Sequence, residues 1–162
     1  MKTISKILIA IDFSDYSGPT LRYGLTLAQD VGAEVVVVNV INERDIAAVR
    51  AAKVYFEQMS VEDYLEKQHA KRNEMLDRLL AETGCGAVPT EKMIKVGVPA
   101  VELLQALKET GADLIVIGTK GRTNVAGMIF GSVAEKLNRR SPVSVLSVRG
   151  PRHAELVCEL NP

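Results

Sequence analysis

The residues best suited to chemistry form one short segment. Gly118-Thr119-Lys120-Gly121-Arg122 opens it, and nine residues separate Gly121 from Gly131-Ser132. With glycine at ~7 % of residues and an assumed ~13 % for serine plus threonine, random sequence supplies this spacing at roughly 5 in 100,000 starting positions. Coincidence is therefore a poor account of it. Glycine lacks the Cβ that would hold a polyphosphate away from the backbone N–H groups or forbid positive φ. Lys120, Arg122, Thr123 and Ser132 add side-chain donors within the same segment. The chemistry this favours is phosphate binding. The plainer alternative is that Gly118 and Gly121 turn the chain and Gly131 lets a helix pack closely on its neighbour.

Such a loop needs elements to position it. Asp113 to Ile117 (DLIVI) is an apolar, β-branched run that reads as a strand, and the segment after Asn124 reads as a helix reaching about Asn138. A loop between a strand end and a helix start meets open N–H groups and the positive end of a helix dipole. Lys6 to Ile11 (KILIAI) is a second such strand, ending at Asp12-Phe13-Ser14-Asp15. Asp12 stands at its carboxyl end, where a carboxylate can accept two hydrogen bonds from a ribose or another sugar diol. The alternative for Asp12 is to cap the following turn with Ser14.

The remaining elements alternate. Ser17 to Val31 has helical spacing at Leu21, Leu25 and Ala28, with Ser17 as N-cap and Gly32 as the stop. Glu34 to Ile41 (EVVVVNVI) is a run of the kind buried on both faces of a parallel sheet. Glu43 to about Ser60 fits a helix or an excursion, and both stay open. Val61 to Ala81 is helical through Tyr64, Leu65, Met75, Leu76, Leu79 and Leu80, with Gly84-Cys85-Gly86 beyond it. Pro89 to Val96 reads as an edge strand, polar at Glu91, Lys92 and Lys95; Pro99 opens a helix that stops at Gly111; Val143 to Val148 is a fifth strand. Strand–helix alternation implies right-handed crossovers and a parallel sheet covered on both faces. Ligands bind such sheets where neighbouring strands send their helices to opposite faces.

Composition narrows the function classes. The chain has 162 residues, enough for one domain, and 20 basic residues balance 20 acidic ones. Nothing there supplies the positive field that attracts nucleic acid or an anionic membrane. Apolar runs fall short of the ~20 residues of a membrane helix, and the expected location is cytoplasmic. Cys85 and Cys158 are far apart and read as reduced thiols; His69 and His153 read as surface residues, and Glu62, Asp63 and Glu66 as a solvated helix face. The P-loop, GxGxxG and GxSxG patterns are absent, and no catalytic base is identifiable.

Four segments together resemble the universal stress protein family: Lys6-Ile-Leu-Ile-Ala-Ile-Asp12-Phe-Ser14, Val40-Ile-Asn-Glu43, Gly118 to Ser132, and Ser141-Pro142-Val143-Ser-Val-Leu-Ser-Val148. The resemblance marks residues 1–149 as the domain and 150–162 as a tail past the usual last strand. It implies an α/β fold with an open five-stranded parallel sheet of order 3-2-1-4-5. It also implies ATP binding, with magnesium. Asp12 would hold ribose, and the backbone of Val40, beside Ala10, would meet adenine. Gly118, Thr119, Lys120, Gly121, Arg122, Thr123 and Asn124, with Gly131, Ser132 and Val133, would wrap ribose and phosphates. The expected protein is a nucleotide-dependent regulatory or stress-response module with an unidentified protein partner. It is expected to form a homodimer through Val143 to Val148 and to hydrolyse ATP slowly at most. The competing readings are an ATP-using transferase on the same fold and a structural dimer without nucleotide.

Overall fold

The computed structural model describes residues 3–53, 60–84, 88–122 and 130–150. Five strands, β1 (Lys6–Ile11), β2 (Glu34–Asn42), β3 (Thr90–Gly97), β4 (Leu114–Gly118) and β5 (Ser144–Val148), form one sheet in the order β3-β2-β1-β4-β5. Every pairing is parallel. The expected order is therefore the observed one. The helices are α1 (Ser17–Val31), α2 (Glu43–Lys53), α3 (Val61–Thr83), α4 (Pro99–Thr110) and α5 (Ser132–Arg140). No helix among the described residues is long and apolar enough to cross a membrane.

The period-two pleat explains the two cores. Ile7, Ile9 and Ile11 of β1, with Val35 and Val37 of β2, pack on Leu21, Leu25 and Ala28 of α1 and Leu76 of α3. Leu8, Ala10, Val36 and Val38 point the other way, toward Leu103, Ala106 and Leu107 of α4 and Ala134 and Leu137 of α5. Burying each such aliphatic side chain contributes about 1.5–3 kcal/mol, and a one-residue slip of β1 would exchange the two sets. Asp113 opposes that slip: its Oδ2 accepts from Ser5 N, Ser5 Oγ and Lys6 N at 2.9, 2.8 and 3.2 Å, tying the starts of β1 and β4 together.

This partition places the site. β1 feeds α1 on one face, whereas its neighbour β4 leads to α5 on the other, so the sheet opens a crevice at the carboxyl ends of β1 and β4. The stretch after β2 resolves as helix α2 over its described part, begun by Asn42, whose Oδ1 accepts from Arg44 N at 3.1 Å. Gly32, Gly84 and Gly111 end their helices in the left-handed region, where a Cβ is unfavourable.

Two expectations need correction. Ser17 does not cap α1: it is the first helical residue, and Tyr16 stands at the cap without a side-chain bond, because the Ser17 hydroxyl donates to Asp12 instead. The helix that follows the glycine loop starts at Ser132 rather than soon after Asn124, since Phe130 and Gly131 are not helical; residues 123–129 lie outside the described set. The short helix brings its first turn, rather than its middle, to the loop.

Candidate functional site

A cleft of about 190 Å³ opens at the crevice. Of the expected residues it is lined by Ala10, Asp12, Val40, Gly118, Thr119, Lys120, Gly121, Arg122, Gly131, Ser132 and Val133. Thr123 and Asn124 lie outside the described residues, as do Cys85, Cys158 and His153.

The loop half of the cleft is built from backbone. Thr119 N donates to Val148 O at 2.8 Å and Gly131 N to Thr119 O at 2.7 Å, so the loop is stitched to β5 on one side and to the start of α5 on the other. Its glycines differ in what they do. A Cβ on Gly118 would sit 3.0 Å from Lys120 O and from Tyr16 Cβ, and one on Gly121 would overlap Asp12 Oδ2. Those two positions are packing constraints in their own right. At Gly131, by contrast, a Cβ would meet only ordinary contacts among the described residues, the nearest Lys120 Cα at 3.5 Å, and φ is −73°. Close packing of α5 therefore does not account for Gly131. Thr119 is buried at 4 % exposure, lines the cleft, and its Oγ1 has no hydrogen-bond partner among the described residues. A buried, unpaired hydroxyl costs about 1–3 kcal/mol, a cost that an acceptor in the cleft would remove.

Asp12 ties the loop half to the start of α1. Its Oδ1 accepts from Ser14 N (3.0 Å), Ser14 Oγ (2.6 Å) and Ser17 Oγ (3.2 Å), and its Oδ2 from Arg122 N (2.9 Å). The chain reaches this arrangement through Phe13, whose φ of 62° is rare for a residue with a side chain. The turn-capping role is thus real, and it is joined by one the sequence did not disclose, the fastening of the glycine loop. Each carboxylate oxygen offers about two acceptor positions; three donors crowd Oδ1, while Oδ2, with one donor among the described residues, keeps room for one more.

The other half is made of side chains. Asn39, at 1 % exposure in β2, donates from Nδ2 to Ile11 O at 2.7 Å and accepts at Oδ1 from Arg72 Nη1 at 2.7 Å. Arg72, on α3, is 8 % exposed, lines the cleft, and lies over the Phe13 ring with Cζ 6.0 Å from its centroid. Burial pushes its pKa below the ordinary value, as does the charge of Arg122, while Asp45 and Tyr64 oppose the shift. Arg122 Nη1 reaches Asp45 Oδ2 of α2 at 3.5 Å. Among the described lining residues, Arg44, Arg72, Lys120 and Arg122 are basic and only Asp12 is acidic. A chain of zero net charge thus concentrates positive charge in one cleft, which favours an anion.

Asn39 and Arg72 escaped the sequence reading. The signals were a lone amide inside the apolar run of β2 and an arginine four residues before Leu76, on the apolar stripe of α3.

The description of the universal stress protein family matches residues 3–149, nearly the whole chain. The chain belongs to that family. Universal stress protein YxiE of Bacillus subtilis is 30 % identical over 146 residues, covering 90 % of this chain and 99 % of that protein. The solved structure of MJ0577, a universal stress protein of Methanocaldococcus jannaschii, superposes with a TM-score of 0.77 at 25 % identity over 91 % of this chain and 97 % of that one. A universal stress protein solved in complex with cAMP is 26 % identical, with a TM-score of 0.62 over 92 % of this chain and 99 % of that one. The family match ends at Arg149.

Proposed function

We propose that this universal stress protein binds ATP in the cleft and uses the bound state to regulate a partner, as a homodimer paired through β5. The observation that carries the nucleotide reading is the buried, unpartnered Thr119 hydroxyl in a loop laid against the first turn of α5. The basic lining favours a polyphosphate, and a relative that takes cAMP makes an adenine nucleotide the natural class. Asp12 would accept one ribose hydroxyl at Oδ2, Val40 and Ala10 would face the base, and Lys120, Ser132 and Thr119 would meet phosphates. Among the described residues no three His, Cys, Asp or Glu side chains gather to hold a metal. Magnesium would therefore arrive coordinated by the phosphates. Mass spectrometry of small molecules released by heating the purified protein should find ATP or its diphosphate. Absence of both, together with no heat on titrating Mg-ATP into the protein, would overturn the reading.

Dimerisation through β5 is supported by the contrast between the sheet's edges. β3 carries Lys92, paired with Asp77 at 2.6 Å, and Lys95, paired with Glu109 at 2.9 Å, whereas β5 (SVLSV) has no charge along its open side. Unprotected edges invite strand pairing. Val145→Lys should shift the mass in light scattering toward the monomer. An unchanged dimer would place the interface elsewhere.

A further inference from the structure

The cleft holds more positive charge than the glycine loop needs. Lys120 stands within the loop, but Arg44 follows β2, Arg72 comes from α3, and Arg122 sits where the loop is fastened to Asp12. Arg72 is more than nine-tenths buried, yet its guanidinium is bonded to a neutral amide, and its Nε has no partner among the described residues. Among the described residues no carboxylate stands within ion-pairing distance of it; Asp45 is engaged with Arg122. A buried cation without a counter-ion is costly, and both burial and the like charge of Arg122 depress its pKa. An anion placed beside the two arginines would reverse both effects. The planar fork of arginine fits phosphate oxygens two at a time. Asp12 supplies the remaining constraint. With Oδ1 already occupied and one position left on Oδ2, it can take one ribose hydroxyl and leaves the other free to carry a substituent.

Resting on the nucleotide reading above, we propose that the cleft takes an adenine ribonucleotide phosphorylated on its 2′ or 3′ hydroxyl as well as at its 5′ end. Arg72 and Arg122, with Arg44 at the rim, receive the second phosphate.

Calorimetric titration of the full chain with 5′-AMP, ADP, adenosine 2′,5′-bisphosphate and adenosine 3′,5′-bisphosphate tests this. One of the two bisphosphates should bind about tenfold or more tightly than 5′-AMP, in line with charge-assisted hydrogen bonds, and the better isomer identifies the hydroxyl. In Arg72→Gln and in Arg44→Gln that ratio should fall below about threefold. The ratio of ADP to 5′-AMP, which reports the loop end, should persist. Circular dichroism checks that Arg72→Gln folds, and the exposed Arg44→Gln keeps the test decisive if it does not. Bisphosphates no tighter than 5′-AMP, or an advantage that survives both substitutions, would overturn the second subsite while leaving the ATP reading intact. No heat from 5′-AMP, ADP or ATP would instead bring down the ATP reading itself, and this inference with it.

Discussion

The two halves of the cleft are built on different principles. The loop half, Gly118 to Arg122 with Gly131 to Val133, is one stretch of chain whose backbone is stitched by Thr119 N to Val148 O and Gly131 N to Thr119 O. The opposite half draws Asn39 from β2, Arg44 from α2 and Arg72 from α3, and it is held by buried side-chain hydrogen bonds. The first half contributes little to the fold's stability, because its bonds are single backbone contacts at the sheet's end and its side chains are small or exposed. The second is part of the core. Damage to the loop should therefore cost binding, and damage to the Asn39–Arg72 pair should cost the fold.

The largest expected effect breaks the core half. Asn39→Leu keeps the size of the side chain but removes the acceptor of Arg72 Nη1 and the donor to Ile11 O. Each buried group left unpaired costs about 1–3 kcal/mol, so urea unfolding should show a loss of roughly 2–6 kcal/mol. Adding Arg72→Met should recover part of it, since removing both partners is milder than removing one. A loss below about 1 kcal/mol would mean that Asn39 is not structural, and the contrast between the halves would collapse.

Gly131→Ala is the matching test of the loop. Among the described residues the added Cβ meets nothing closer than 3.5 Å, and alanine for glycine at a helix N-cap costs within about 1 kcal/mol. If Gly131 is there so that phosphate can approach N–H groups, ATP affinity in calorimetry should fall about a hundredfold, or 2.7 kcal/mol, while the unfolding midpoint scarcely moves. Affinity retained with folding intact would make the glycine spacing a matter of chain geometry.

This difference also decided what could be read in the sequence. The strands were legible because β1, β2 and β4 are buried on both faces and so are written as continuous apolar runs. The glycine loop was legible because its parts are contiguous. Asn39 and Arg72 lie 33 positions apart and meet only through the packing of α3 on the sheet, so no local spacing announces them. The same holds for Arg122 N and Asp12, separated by 110 positions. Ser17 misled for a related reason: its type fits a cap, but the nearby Asp12 carboxylate is a stronger partner for its hydroxyl. The short, charge-rich α2 stayed open because Ile46 is its one buried hydrophobic residue among those described, too few to establish a period.

Asp12 fastens the loop half to the start of α1, so its removal should register both on ligand and on the loop. Asp12→Ala takes away the acceptor for a ribose hydroxyl and the tie to Arg122 N. ATP and adenosine should weaken alike, by about tenfold, as for a charge-assisted hydrogen bond. Hydrogen exchange at Arg122 N–H should accelerate in the absence of nucleotide. Weakening confined to ATP would move Asp12 from the sugar to the phosphates. Unchanged exchange would show that the loop is held by its stitches to Val148 and Gly131 alone.

The smallest effect gives the sharpest division within the loop half. Ser132 is the first residue of α5, and its backbone N–H is among the donors that the helix leaves unused. Ser132→Ala keeps that N–H and removes only the hydroxyl. Alanine is also the better helix former, by a few tenths of a kcal/mol, so stability should not fall. The remaining loss is one hydrogen bond to phosphate, and the backbone donors beside it blunt that loss. About threefold weaker ATP binding is expected, near the lower end of 0.5–1.5 kcal/mol for a single bond, with adenosine unchanged. Equal weakening of adenosine would place Ser132 against the sugar and move the phosphates toward Lys120. No change for either ligand would take the Ser132 hydroxyl out of the phosphate contact and leave that contact to the Thr119 hydroxyl, Lys120 and the backbone N–H groups.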